Sequence, residues 1–104
     1  MIMNEKKYDI TKMVTISTAH IKESTTSFLE ETLLFPVYQY DYFNYFYMIW
    51  IEDDTESYLK PFKNAIPNDL WACIMFAHNL GCQWLCLDGD GEIVGELPVY
   101  EWKN

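Results

Sequence analysis

An α+β fold, a two-layer sandwich with a mainly antiparallel sheet and two helices on one face, is what this sequence predicts, and three observations carry the expectation. Runs of β-branched and aromatic residues alternate with two stretches of helical spacing. The longest aromatic run, residues 35–51, can double back on itself as a local hairpin, which pairs strands antiparallel. Half of the residues are hydrophobic, enough for a chain of 104 to bury one core without metal or disulfide staples. The chain therefore reads as a single domain, 1–104, with residues 1–10 as a frayed terminal segment.

The order of elements is βαββαββ, and its first six match the ferredoxin-like order. Residues 13–18 (MVTIST) are β-branched and form the first strand. Residues 22–34 are helical, because Ile21, Thr25, Phe28, Leu29, Thr32 and Leu33 fall on one stripe. Pro36 ends this helix by keeping Phe35 out of the α region.

The hairpin follows, and nine of the seventeen residues from 35 to 51 are aromatic. A loop of two or four residues puts Tyr38, Tyr40, Tyr45 and Tyr47 on one face. A three-residue loop, Tyr42-Phe43-Asn44, is favoured because Asn accepts the left-handed conformation that closes such a loop. That register turns Tyr38, Tyr40, Phe46, Met48 and Trp50 to the core. It leaves Gln39, Asp41, Tyr45 and Tyr47 outside, with Ile49 and Ile51 further along.

Residues 52–64 read as a charged connection broken by Pro61. Residues 67–80 form the best helix, with Pro67 at its start, Asp69 in its first turn and Gly81 as its stop. Residues 83–87 are a short buried strand, Asp88-Gly89-Asp90-Gly91 is a turn, and residues 92–95 can return as a partner strand. The tail, with Pro98, Tyr100 and Trp102, covers a sheet edge or packs on a helix.

Charge excludes several functions. Sixteen acidic residues face seven lysines with no arginine, for a net charge of -9. Nucleic-acid binders neutralise phosphates with Lys and Arg, so the exposed rings of a βαββαβ sheet are not read as an RNA platform. Anionic membranes repel such a chain, and no run approaches the roughly 20 apolar residues that span a bilayer. The N-terminus lacks the apolar region of a signal peptide. With three cysteines, an odd number, the expected compartment is the reducing cytoplasm.

No cofactor or metal is implied. Cys82 and Cys86 are four apart with no second ligand pair. Counted from Asp88, a calcium loop needs glycine sixth and glutamate twelfth, where Ile93 and Val99 stand. Ser17 and His20, at the end of the first strand, are weak catalytic candidates, and nothing like GxSxG surrounds them. The blander reading has Ser17 or Thr18 capping a turn and His20 bonded to backbone.

Ser17-Thr18-Ala19-His20-Ile21, a Tyr-rich hairpin and Pro67-Asn68-Asp69-Leu70 together resemble a family of small bacterial proteins of unknown function. The C-terminus is similar too: Trp84 to Asp88 as Trp-Leu-x-Leu-Asp, the Asp90-Gly91 turn, and Leu97 to Trp102 as Leu-Pro-x-Tyr-x-Trp. The likeness covers about residues 14–102 and implies a bacterial or mobile-element origin. No catalytic residue comes with it.

The leading expectation is a non-enzymatic, acidic protein-interaction module. One version is a phage or mobile-element inhibitor, of the anti-CRISPR or anti-restriction type, that occupies a basic nucleic-acid-binding surface of a host protein. Tyr45 and Tyr47 would anchor the partner, and Glu52, Asp53 and Asp54 would steer it. An enzyme centred on Ser17 and His20 is the second reading, and a homo-oligomer joined through the aromatic hairpin is the third.

Overall fold

The computed structural model describes residues 8–39 and 46–102. Strand β1 (Met13–Ser17) runs into a 3₁₀ turn at Thr18–His20, followed by helix α1 (Thr25–Glu31). Strands β2 (Val37–Gln39) and β3 (Phe46–Trp50) come next. Helix α2 (Thr55–Leu59), a 3₁₀ turn at Lys60–Ala65, helix α3 (Asn68–Asn79) and strand β4 (Trp84–Asp88) complete the order. The α+β class is as expected, but the sheet is mixed. Its order is β1-β4-β3-β2, with β1 parallel to β4 and the other two pairs antiparallel. The element order agrees with expectation as far as β4, with one helix added.

β4 lies inside the sheet because it can be buried on both faces. Leu85, Cys86 and Leu87 are all buried, the continuous apolar run that an interior strand needs. The register lines up Val14, Leu85, Ile49 and Val37 across one face, and Ile16, Leu87 and Tyr47 beside them. The helices cover this face with Leu29, Leu59, Leu70, Cys73, Ile74 and Ala77.

The hairpin pairs as the three-residue loop requires: Val37 with Ile49, Tyr38 with Met48, Gln39 with Tyr47. The loop itself falls within residues 40–45, outside the described residues. The facing is the reverse of that expected. Tyr47 is 0% exposed and Ile49 and Ile51 are buried, whereas Tyr38 is 50% exposed and Phe46, Met48 and Trp50 are half-buried. The cause is the neighbour strand, since β4 offers Leu85 and Leu87 to Ile49 and Tyr47, and α3 packs on that side.

Three further differences have local causes. Residues 52–64 are not an irregular connection. Thr55 and Leu59, four apart and both buried, make the inner stripe of α2, and Pro61 sits at the start of the following 3₁₀ turn, where its missing N–H costs nothing. α1 ends at Glu31, before Leu33, which is 99% exposed. The strand expected at 92–95 is absent, because both edges of β4 are already taken. The Asp88–Gly91 turn forms, with Asp90 N–H donating to Asp88 Oδ1 at 2.9 Å, but the chain then crosses the end of β1. There Ser17 N–H donates to Glu92 O at 2.8 Å, and Glu92 bridges Ile16 in parallel.

α3 stops as its sequence demands. Gly81 takes φ 78°, Cys82 N–H donates to Ala77 O and Gly81 N–H to His78 O, which is a Schellman closure. Pro67 stands at the N-cap, just outside the helix. Asp69 joins two helix starts, since its Oδ2 accepts from Lys22 N–H at 2.7 Å and from Thr25 Oγ1 at 2.6 Å.

Candidate functional site

The sheet has a second face. By register it carries Met13, Thr15, Tyr38, Phe46, Met48, Trp50, Trp84, Cys86 and Asp88. None of Tyr38, Phe46, Met48, Trp50 and Trp84 belongs to the core beneath the helices. Their rings are stacked along the sheet: Trp84 meets Trp50 edge-on at 5.0 Å and Tyr38 at 5.8 Å. Such pairs contribute about 0.5–1.5 kcal/mol beyond burial, so the ladder is ordered although half-exposed. The four strands contain no lysine, and Asp88 is their one charged residue.

An acidic edge closes one end of this face. Glu52, Asp53 and Asp54 follow β3 and are exposed. Trp50 Nε1–H donates to Glu52 Oε1 at 2.7 Å, which couples the ring to the first carboxylate. This pair divides two depressions. A polar one of about 360 Å³ is lined by Asp9, Ile10, Trp50, Glu52, Asp53 and Gln83. A more apolar groove of about 240 Å³ on the helix side includes Trp50, Glu52, Asp54 and Tyr58. The acidic trio and an aromatic surface thus do adjoin, as expected from sequence, but through different rings. Tyr47 is corrected to a core residue, its hydroxyl reaching Glu30 Oε2 at 3.4 Å. Tyr45 lies outside the described residues.

Sequence reasoning missed that Tyr38 and Trp84 lie on the open face of the sheet. The missed signal was the aliphatic series Ile49, Ile51, Leu85 and Leu87. Fully apolar, branched side chains mark the core face, while rings with a polar edge tolerate water.

Ser17 and His20 form no catalytic pair. His20 is 1% exposed, and both ring nitrogens are engaged with backbone. Nε2 accepts from Val94 N–H at 3.0 Å, which fixes the tautomer so that Nδ1–H donates to Pro98 O at 2.8 Å. Ser17 Oγ accepts from Ala19 N–H at 3.0 Å, capping the 3₁₀ turn. The shallow depression here, lined by Ser17, Thr18, Ala19, Gly89, Tyr100 and Trp102, does not include His20. The enzyme reading therefore lacks its general base.

These contacts belong to a clasp. Tyr100 N–H donates to Ala19 O at 2.8 Å, and Trp102 Nε1–H to Ile21 O at 2.9 Å. Lys22 Nζ lies 5.6 Å from the Tyr100 ring centroid. The Ser-Thr-Ala-His-Ile segment is the dock for the Leu-Pro-x-Tyr-x-Trp segment. Below it, Cys73 Sγ–H donates to His20 O at 3.6 Å, and burial, then the Asp69 carboxylate, pushes that thiol up to about 12. Burial also raises Cys86.

Among the described residues no cluster of His, Cys, Asp and Glu could hold a metal ion, and no helix is long and apolar enough to cross a membrane. No curated protein and no solved structure matches the chain. One family model does, over residues 13–102, the same span that contains both halves of the clasp. The chain belongs to the family of unknown function DUF5983, and matches its C-terminal domain.

Proposed function

We propose that this protein is a non-enzymatic interaction module that binds a protein with a basic surface. The observation that carries the reading is the sheet face that no described helix covers, a ladder of Tyr38, Trp84 and Trp50 running into Glu52 and Asp53. Apolar rings in a small area supply contact energy, and carboxylates beside them steer a cationic partner into register. The net charge of -9 acts in the same direction. The form that uses this acidity most fully is an inhibitor carried by a bacterial phage or mobile element. It would act in the cytoplasm by filling the nucleic-acid groove of a defence protein such as a CRISPR effector or restriction enzyme.

Affinity capture from the native host identifies the partner, and calorimetry against salt then tests the mode. Affinity falls steeply with added salt, and Tyr38→Ala or the double variant Glu52→Lys/Asp53→Lys weakens it at least about tenfold, or about 1.4 kcal/mol. Tight binding that ignores both salt and these variants refutes the reading. The same face supports a second reading, a homo-oligomer joined through its rings. Light scattering separates the two, because a monomer at high concentration removes the self-interface.

A further inference from the structure

The groove beside the ladder has a composition that selects its occupant. Its floor is apolar and buried: Phe35, Ile51, Leu59 and Ile74. Its mouth carries two partly exposed rings, Trp50 and Tyr58, and two exposed carboxylates, Glu52 and Asp54, and no lysine lines it. At about 240 Å³ it falls short of the cavities of roughly 300–1,000 Å³ that enclose cofactors and drug-sized ligands. One long side chain suits it better.

Both carboxylates are placed for such a guest. Asp54 occupies the N-cap of α2, where an aspartate ordinarily accepts a backbone N–H, yet its side chain makes no capping bond. Glu52 is held in place by the Trp50 indole, which takes one of its roughly four acceptor positions.

We propose that this groove receives one arginine or lysine side chain of the protein partner, its methylene stem on the apolar floor and its cationic head at Glu52 and Asp54. The inference rests on the basic-partner reading above and adds the chemical group that is recognised. A cationic side chain buries its stem and keeps its charge at the rim, which is the division of surface found here. The rings at the mouth add cation–π attraction. Arginine binds more tightly than lysine, because its planar fork can serve two carboxylates at once and stack on an indole.

The test is a ¹H–¹⁵N titration of the whole chain with the capped tripeptide acetyl-Gly-Arg-Gly-amide, and with the same peptide carrying norleucine in place of arginine. The arginine peptide saturates with a Kd of about 1 mM and moves the Trp50 indole N–H with the Thr55 and Leu59 amides. Norleucine, and the isosteric variant Glu52→Gln/Asp54→Asn, each weaken this at least about tenfold. Equal binding of norleucine, an unaffected double variant, or shifts scattered over the acidic surface without saturation at the groove each overturn the proposal. Failure here while Tyr38→Ala still releases the partner leaves the interaction reading standing. Saturation of the groove alongside a partner whose affinity ignores salt retires that reading alone.

Discussion

Gly91 leaves no room for a side chain. A Cβ there would lie 2.6 Å from both the carbonyl carbon and oxygen of Ile16 and 2.9 Å from Ser17 N, all backbone atoms that cannot swing aside. Gly91→Ala is expected to cost about 1–3 kcal/mol, read as a fall in melting temperature of about 4–8 °C per kcal/mol. Gly95→Ala, with nothing within 4 Å, serves as the neutral control. Equal melting of the two variants would mean that the crossing over β1 is looser than described. Cys73 makes a prediction of opposite kind. Its thiol stands above its ordinary 9.0, at about 12, so the unfolded chain releases this proton first as pH rises. The stabilising contribution is complete below about pH 9 and is lost towards pH 12. Denaturant midpoints should therefore decline more steeply above pH 9 in the wild type than in Cys73→Ala; parallel declines would contradict this.

At the scale of elements, the clasp is a local unit hung on one imidazole. His20→Phe keeps the volume but leaves Val94 N–H and Pro98 C=O without their partners, a loss of roughly 1–3 kcal/mol if either stays buried. The expected result is detachment of residues 94–102. Amide exchange speeds up at Val94 and Tyr100 while Leu85 stays protected. Uniform loss of protection would make His20 a support of the whole core instead. Element by element, the first four strands, the hairpin parity and α3 with its glycine stop were legible in the sequence, because each depends on residues close in the chain; the fifth strand expected at 92–95 was not formed. The facing of the hairpin was not. Parity says which residues share a side, but β4, more than thirty residues downstream, decides which side is covered. α2 escaped notice because its stripe is two residues, Thr55 and Leu59, inside a charged run. At the candidate site, the acidic trio could be read directly as a charge cluster; the rings beside it could not, because they depend on that same facing.

For the whole molecule, acidity and fold divide the labour. The carboxylates at 52–54 sit where β3 leaves the sheet and Asp88, Asp90 and Glu92 stand at its opposite end, so charge gathers at the ends and the strands stay almost uncharged. The position of β4 has a consequence for how the protein comes into being. Among the described residues it is the last strand made and the one strand that pairs with β1, and it also pairs with β3. Lys12 reaches Gln83 across 71 residues, and Trp102 reaches Ile21 across 81. On a ribosome the first strand therefore waits for its sheet partner until residues 84–88 have been synthesised. The loop that closes then is long, so docking of β4 is expected to be the slow step of folding. Until that moment β3 lacks the strand that faces Tyr47 and Ile49, and the net charge of -9 is expected to oppose association of such incompletely folded chains.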